Sequence, residues 1–365
     1  MLKFIHAADF HLDSAFSSLP HRQATARRRE MREMPFRLAN YVNQHQIDLV
    51  LLSGDLFDSG SVFRETGQQL AQALGQMQAQ VVIAPGNHDW YGPYSPYAAV
   101  TWPENVHIFR EPRLTTLDFP QWNLTIHGAA FTGAQQPAGL LSGFAAPQDG
   151  RIHFGLLHGE VDAPEARYNP ITREEIAASG LAYLALGHIH KRTEPLHLGA
   201  TLCAWPGCME GRGFDELGEK GFYSGILSPE GAVSLSFVPF ALRRYEILTV
   251  DVTGRSPREA VETALPADTA SHLYRIILTG ETDAGGISLP ALQEALASRF
   301  YSLELRDNTR IARDIWASRG GESLRGQFLQ QLYAQLEAAD TDEQRRRITQ
   351  AARFGLAALE HRDME

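Results

Sequence analysis

The chain has 365 residues, of which 44% are hydrophobic and 21% charged, a composition typical of a folded protein with roughly two or three domains. Its net charge of −10 argues against attachment to nucleic acid by bulk positive charge alone. Only two cysteines occur, which excludes a disulfide scaffold and favours a reducing compartment. No apolar run approaches the roughly 18 residues of a membrane span, and the first residues lack a signal-peptide pattern. We therefore expect a cytoplasmic protein without membrane association.

The first 240 residues alternate short apolar runs with helical segments. This alternation predicts an α/β architecture in which helices cover a sheet. Each predicted strand is short, apolar and bounded by turn residues. The predicted strands are Leu2–Ala7, Leu49–Leu52, Gln80–Ala84, Leu124–Gly128, His153–Leu157 and Ala182–Leu186, and the predicted helices are Arg22–His45 and Glu65–Met77.

The pattern changes after Phe240 to an order of strand, helix, strand, helix and strand, which predicts a small α+β domain. Its elements are Tyr245–Val252, Ser256–Ala264, Leu273–Thr279, Leu289–Ser298 and Tyr301–Arg306. Further on, Leu324, Phe328, Leu332 and Leu336 recur every four residues and predict a helix. Thr341 and Gln344 resemble a capping box that opens a second helix. The predicted domains are therefore 1–240, 245–310 and 320–365.

Five of the predicted strands are followed directly by a polar cluster. Because the carboxyl ends of strands in an α/β sheet converge on one crevice, we expect these clusters to meet. They offer oxygen and imidazole donors without thiolates, a set that suits Mn²⁺, Fe or Zn at paired sites. The clusters are Asp9-Phe10-His11, Gly54-Asp55-Leu56-Phe57-Asp58, Gly86-Asn87-His88-Asp89, His158-Gly159-Glu160 and Gly187-His188-Ile189-His190.

A single cluster of this kind is typical of a capped or hydrogen-bonded turn. Five in order, each after an apolar strand, favour a metal centre instead. They contain five of the 14 histidines. We interpret the other nine as structural or surface residues, with His6 and His153 as hydrogen-bonded core groups because they lie inside predicted strands.

The ordered motifs D-x-H, G-D-x-x-D, G-N-H-D/E, H and G-H-x-H over residues 9–190 resemble those of calcineurin-like metallophosphoesterases. More narrowly, the chain resembles the nuclease subunit of SbcCD-type DNA repair complexes, especially its YhaO-like bacterial exonuclease branch. The narrower resemblance rests on the opening segment 4–13, the Gly-Asp-Leu-Phe-Asp form of the second motif and the segment 205–221. Cys208 stands where Ser is usual in that segment, and we interpret it as a packing residue. The implied fold is a four-layer α/β/β/α sandwich, followed by a small α+β capping domain and C-terminal helices.

The resemblance also implies two ion sites that share one carboxylate. One ion would be held by Asp9, His11, Asp55 and His190. The other would be held by Asp55, Asn87, His158 and His188. A shared anionic ligand offsets the repulsion between two dications roughly 3.5–4 Å apart.

Three further residues near these ligands are assigned to catalysis. His88 would face the phosphate and stabilise or protonate the leaving oxygen. Asp58 and Asp89 would orient neighbouring histidines. For both carboxylates, the alternative is that they cap turns.

A basic stretch follows the first motif. Between residues 21 and 37 lie six arginines and two glutamates, and such a stretch is suited to follow a phosphate backbone. The alternative is a solvated helix face. The residues assigned to nucleic-acid binding are Arg22, Arg27, Arg28 and Arg29.

The resemblance implies a Mn²⁺-dependent DNA repair nuclease, a 3′→5′ exonuclease with some endonuclease activity. Its C-terminal helices would dock on a coiled-coil ATPase of the SbcC type, with a helical hairpin folded back on the capping domain as the alternative. A homodimer is also left open. The alternative functions are a metallophosphatase or phosphodiesterase for small phosphoesters, and a scaffold that binds DNA ends.

Overall fold

The computed structural model describes residues 1–59, 63–163, 167–282, 286–311, 315–316, 319–320 and 323–359. The chain divides into two compact units. The first comprises Met1–Leu248, Leu265–Ile276 and Leu296–Glu304, and the second comprises Thr249–Ala264, Ile277–Ala295 and Leu305–Glu365. This division into two units does not test the predicted domains 1–240, 245–310 and 320–365, which stay predictions.

Most of the first unit is built from short strands joined by helices and loops. Its helices are α1 (His21–Gln44), α2 (Arg64–Gly75), α3 (Pro96–Ala99) and α4 (Arg173–Ala178), with a 3-10 helix at Pro120–Trp122. Its strands are β1 (Leu2–Ala7), β2 (Leu49–Leu52), β3 (Gln80–Ile83), β4 (Val106–Ile108), β5 (Thr115–Phe119), β6 (Leu124–Gly128), β7 (Ile152–His158), β8 (Glu160–Val161), β9 (Pro170–Ile171), β10 (Tyr183–Gly187), β11 (Leu196–Leu198), β12 (Thr201–Ala204), β13 (Gly221–Leu227) and β14 (Val233–Pro239).

Twelve of these strands form two sheets. The first has the order β14-β13-β1-β2-β3-β4, and its strands β1 to β4 run parallel. The second has the order β11-β12-β10-β7-β6-β5, and β6, β7, β10 and β12 run parallel within it. All six strands predicted for this region are present, with bounds that differ by at most one residue. The two sheets therefore carry the motif-bearing strands as parallel neighbours.

The alternation of side chains along each strand separates three apolar layers. Val50 and Leu52 pack on the side of α1 and α2, in a cluster that includes Leu38. Leu49 and Leu51 face the opposite way, into a cluster shared with strands of the second sheet. The outer face of the second sheet packs against α4 and neighbouring loops. Because successive residues of a strand point to opposite faces, this pattern stacks two sheets between outer layers, and the predicted four-layer α/β/β/α sandwich is confirmed.

The remaining elements follow the predicted order. A three-stranded sheet has the order β15-β16-β18, β17 pairs in parallel with β19, and a 3-10 helix covers Ala297–Arg299. These strands are β15 (Tyr245–Asp251), β16 (Leu273–Thr279), β17 (Glu281–Thr282), β18 (Ser302–Asp307) and β19 (Arg310–Ile311), and the helices are α5 (Pro257–Ala264), α6 (Leu289–Leu296), α7 (Leu324–Glu337) and α8 (Asp342–Leu359).

The last two helices of the described chain form a hairpin with a small core of its own. Leu329 of α7 is buried against Ala352 and Leu356 of α8. The predicted capping box is confirmed, since the Gln344 amide donates to Thr341 Oγ1 at 3.2 Å and the Thr341 amide donates to Gln344 Oε1 at 3.3 Å. Within the described ranges, no helix is both long enough and apolar enough to cross a lipid bilayer.

Candidate metal centre

The five polar clusters follow β1, β2, β3, β7 and β10, at the carboxyl ends of these strands. Three of the strands are parallel neighbours in the first sheet and two are parallel neighbours in the second. Their ends meet at one edge of the sandwich. The structure brings together all seven predicted ligands, which are Asp9, His11, Asp55, Asn87, His158, His188 and His190.

The backbone at four of these ligands has an unusual conformation. The φ angle is 53° at Asp9, 47° at His11, 52° at Asp55 and 90° at His188. Positive φ is uncommon for residues other than glycine and costs roughly 1–3 kcal/mol where it occurs. Such backbone strain clusters at functional sites. The strand ends are therefore held in conformations that present these side chains to a common point.

Two glycines allow the strand ends to approach one another closely. A Cβ atom at Gly86 would collide with the carboxylate of Asp55. One at Gly187 would collide with the carbonyl of Ser53 and lie 2.8 Å from His158 Nδ1. Any larger residue at these positions would push the ligands apart.

The first half of the centre, defined as Asp9, His11 and His190, brings three potential ligand atoms together. His11 Nε2 lies 3.0 Å from His190 Nε2. Asp9 is buried, and its Oδ1 accepts a hydrogen bond from the His188 amide at 3.1 Å. Its Oδ2 is buried without a hydrogen-bond partner among the described residues. An unpaired buried carboxylate oxygen is costly, and two ring nitrogens beside it make this donor set fit a divalent cation.

The second half of the centre, defined as Asn87, His158 and His188, has a similar convergence. Asn87 Oδ1 lies 3.0 Å from His158 Nε2 and 3.0 Å from His188 Nδ1. Asp55 lies between the halves, because its Oδ2 is 3.3 Å from His158 Nε2 and 4.0 Å from His11 Nε2. The carboxylate of Asp55 is therefore placed to serve both ions.

Outer hydrogen bonds decide which ring nitrogen of each histidine faces the centre. His158 Nδ1 donates to the Ser53 carbonyl at 2.8 Å, and a carbonyl can only accept, so Nε2 carries the free lone pair. His188 Nε2 contacts the Glu160 carboxylate at 2.6 Å, which leaves Nδ1 toward the ions. Such outer partners fix the tautomer and raise the basicity of metal-binding histidines.

The first half has a different outer partner, which lies on the loop after β12. His190 Nδ1 is 2.8 Å from Glu216 Oε1. Arg212 joins this loop to the second motif, since it donates to Glu216 Oε1 at 2.8 Å and to Asp58 Oδ1 at 3.0 Å. Glu160, Arg212 and Glu216 were not predicted as site residues. Glu160 belongs to the cluster His158-Gly159-Glu160, whereas no spacing in the sequence links Arg212 or Glu216 to a particular histidine.

His88 lies beside the ligands but is exposed to solvent. Its amide donates to Asp55 Oδ1 at 2.9 Å, and its Nδ1 donates to the Asp58 carbonyl at 3.0 Å. The ring is fixed through Nδ1, so Nε2 is available to a substrate. Asp58 also places its Oδ1 3.2 Å from His11 Nδ1, in keeping with the predicted role of orienting a histidine.

Asp89 occupies a different position from the one its catalytic assignment requires. Its buried carboxylate accepts hydrogen bonds from the Leu56 amide at 2.7 Å, the Gly86 amide at 2.8 Å and the Tyr97 hydroxyl at 2.6 Å. Among the described residues, no hydrogen bond or ion pair joins this carboxylate to His88 or His188. The catalytic assignment is therefore corrected to the alternative role of capping turns, here by tying the loops of the second and third motifs together.

In each half, one histidine has a lowered pKa and the other a raised pKa in the absence of metal. Burial lowers the pKa of His11 to about 4 and raises the pKa of Asp9 to about 6. Burial also opposes a charge on His158, but the Asp55 carboxylate outweighs it and raises the pKa of His158 to about 9. At neutral pH His158 must therefore lose a proton before it can bind a metal, whereas burial lowers the pKa of His188 to about 4.

The arginines of helix α1 that were assigned to nucleic-acid binding differ in burial and in hydrogen bonding. Arg27 is fully buried and donates to Glu30 Oε2 at 2.6 Å and to Glu210 Oε2 at 3.0 Å. Its assignment to nucleic-acid binding is wrong, because these buried carboxylates already engage the guanidinium. Arg28 is half-buried and donates to the Ala15 carbonyl. Arg22, Arg28 and Arg29 stay predicted contacts.

Three residues interpreted as structural are buried and act in packing or hydrogen bonding. His6 contacts the Tyr183 hydroxyl at 2.6 Å and Ser53 Oγ at 2.9 Å. His153 contacts His127 Nε2 at 2.9 Å. Cys208 is fully buried, and burial raises the pKa of its thiol. A buried neutral thiol is unreactive, which agrees with a packing role.

Comparison with known proteins agrees with this geometry. Residues 2–192 match the calcineurin-like phosphoesterase family, and the chain belongs to this family. It is a metal-dependent hydrolase with a centre for two divalent ions.

Two relatives extend the comparison. The chain is 32% identical over 343 residues to the uncharacterized metallophosphoesterase YhaO of Bacillus subtilis (strain 168). The aligned region covers 84% of this chain and 82% of YhaO. It is 23% identical over 278 residues to the DNA double-strand break repair protein Mre11 of Methanopyrus kandleri. This aligned region covers 69% of this chain and 60% of Mre11.

Proposed function

We propose that the chain is a Mn²⁺-dependent DNA nuclease that hydrolyses phosphodiester bonds, a 3′→5′ exonuclease with some endonuclease activity. The observation that carries this proposal is the position of His88, exposed beside the ligands and at the wall of a cleft. The similarity to Mre11, a DNA repair protein by name, supports DNA as the substrate.

The cleft is large and partly aromatic. Its volume is about 680 Å³, and it runs from Asn87 and His88 to the side chains of Trp90, Tyr94 and Tyr168. A small phosphomonoester needs far less space than this. Aromatic rings next to a phosphate site suit nucleotides, whose bases stack on them.

The residues have separate tasks in the proposed reaction. When bound, the two ions neutralise the phosphate charge and activate the attacking water. Because Asp55 lies between the two ion sites, it would hold them at a fixed separation from each other. His88, oriented by the Asp58 carbonyl, stabilises or protonates the leaving oxygen through Nε2.

The net charge of −10 is compatible with DNA binding. Two dications add four positive charges where the scissile phosphate lies, so the local field differs from the global one. The global charge favours weak binding by this chain alone, with a partner that supplies further contacts to DNA.

We also propose that the hairpin of α7 and α8 docks on a coiled-coil ATPase of the SbcC type. Large apolar side chains are exposed on it, with Leu324 70% and Phe354 50% accessible. Deletion of residues 322–365 should abolish co-purification with such an ATPase and preserve the metal centre. Retained binding of the ATPase would contradict docking through this hairpin, and a shift to a smaller oligomer without any effect on ATPase binding would favour a homodimer.

The proposed activity is tested with purified protein, Mn²⁺ and end-labelled duplex DNA, with p-nitrophenyl phosphate as the monoester substrate. We expect shortening of the DNA from its 3′ end and a much lower kcat/KM for the monoester. An Asp55→Asn variant, purified in parallel, controls for contaminating nucleases. Efficient hydrolysis of the monoester with intact DNA would favour a phosphatase, and DNA binding without cleavage would favour a scaffold.

A further inference from the structure

The segment after His88 is rich in aromatic residues and is held in a fixed conformation. Ser95 Oγ donates to the Gly92 carbonyl at 2.9 Å, which closes a turn around Tyr94. The hydroxyl of Tyr97 donates to the buried Asp89 carboxylate at 2.6 Å. The turn that carries Tyr94 is thus anchored to the loops of the metal centre.

Tyr94 is unusual because a large aromatic side chain is left almost entirely in solvent. Its side chain is 93% exposed. It lines the cleft that contains His88 and also a smaller adjoining cavity of about 110 Å³, which is lined by Phe63 and Arg64. Phe63 is itself 69% exposed. Exposed aromatic rings that lie next to one another mark a binding surface more often than a single exposed ring does.

Cationic groups accompany these rings. The guanidinium of Arg32 lies 6.0 Å from the Phe63 ring centre, and it is also paired with Asp13 at 2.9 Å. Arg64 follows Phe63 directly and lines the same cavity as Tyr94. Aromatic platforms interleaved with cations are the way in which proteins bind single-stranded nucleic acid, since rings stack on bases and cations contact phosphates.

We propose that Trp90 and Tyr94 form a nucleobase subsite, which takes the unpaired base next to the scissile phosphodiester. Phe63 and Arg64 extend this subsite to the following nucleotide. The proposal rests on the proposed nuclease function and names the form of DNA that enters the cleft, which is a single-stranded end. The two rings beside His88 place a base where the adjacent phosphate reaches the metal centre.

The test compares an oligothymidine with an oligonucleotide of the same length in which every second base is replaced by an abasic tetrahydrofuran unit. Both have the same phosphodiester backbone. The wild-type protein with Mn²⁺ should cleave the oligothymidine with a kcat/KM about tenfold higher, as expected for one lost stacking contact. Tyr94→Ala should remove this preference, whereas Tyr94→Phe should keep it.

Two controls and two outcomes distinguish a failure of the nucleobase subsite from a failure of the nuclease function. Ile226→Ala removes an exposed apolar side chain from β13 and should leave the preference unchanged, and the melting temperature of each variant shows that it is folded. If Tyr94→Ala retains the wild-type preference, or slows both substrates equally, the subsite is refuted while the nuclease function stands. If the wild-type protein cleaves neither oligonucleotide, the nuclease function is refuted, and the subsite with it.

Discussion

The two halves of the candidate metal centre lie on either side of Asp55 but are supported in different ways. In the second half, His158 is fully buried and donates to a main-chain carbonyl at the end of β2. In the first half, the side chain of His190 is 30% exposed and depends on Glu216, which lies on a loop between β12 and β13. One half is thus built into the sheet ends, and the other is completed by a separate loop. We therefore expect the second half to be the more rigid of the two, and the first half to be the more easily perturbed.

The largest effect is expected from removing the element that the halves share. Asp55→Asn keeps the size of the side chain and the oxygen that accepts from the His88 amide, but it removes the negative charge between the ions. We predict that hydrolysis of bis(p-nitrophenyl) phosphate falls to background and that fewer than two Mn²⁺ ions remain per chain by elemental analysis. Full activity in Asp55→Asn would contradict a role for Asp55 as a ligand shared by the two ions.

The next largest effect separates catalysis from metal binding. His88→Ala leaves all seven ligands in place, so both ions should be retained. Turnover should fall by about a hundredfold to ten-thousandfold, as is usual for loss of a general acid. The exposed His197 on β11 offers a matched control, because His197→Ala should change neither property. Substantial activity in His88→Ala would refute its assigned role.

A smaller effect distinguishes the halves directly. Glu216→Gln and Glu160→Gln each remove the charge of one outer partner, and such changes typically weaken metal affinity by about 10–100-fold. We predict that each variant weakens only one of two Mn²⁺ binding steps in calorimetric titration, and that the affected steps differ. Glu194→Gln, at an exposed glutamate, is the control. The same step weakened by both variants would show that the halves are not independent.

The smallest effect is a pH dependence of the metal-free protein. Because the pKa of His158 is raised above its ordinary value of 6.5 to about 9, its pairing with Asp55 contributes stability fully below about pH 6.5. That contribution is lost as the pH rises through about 9. The melting temperature of the metal-free protein should fall between pH 7 and pH 9, whereas the Mn²⁺-loaded protein, in which His158 is already deprotonated, should show a smaller change. Equal slopes for the two forms would contradict this assignment.

The convergence of the seven predicted ligands could be predicted from the sequence because each one lies at or shortly after the end of an apolar strand. Parallel strands must end at a common edge, so Asp9, Asn87 and His188 meet although they are far apart in the chain. The partners Arg212 and Glu216 could not be predicted in this way. They lie on an irregular loop whose path is fixed by tertiary contacts, and no periodicity or spacing encodes which histidine they reach.

Helix α1 shows a second limit of sequence-based prediction. A cluster of positive charge does not reveal which guanidinium groups face solvent. Arg27 has the same local neighbours as Arg28 and Arg29, but the helix phase turns it inward to the carboxylates of Glu30 and Glu210. The acidic partner at Glu210 is distant in sequence, and therefore the burial of this arginine could not be anticipated.

The most direct test of the shared centre is a Mn²⁺ titration of the metal-free protein, with electron paramagnetic resonance and DNA cleavage recorded on the same samples. Two Mn²⁺ ions that share a carboxylate are magnetically coupled. We predict that the coupled signal and the cleavage activity both appear with the second equivalent of Mn²⁺, and that both are absent in Asp55→Asn. Full activity with a single equivalent, or with two uncoupled ions, would contradict a two-ion centre bridged by Asp55.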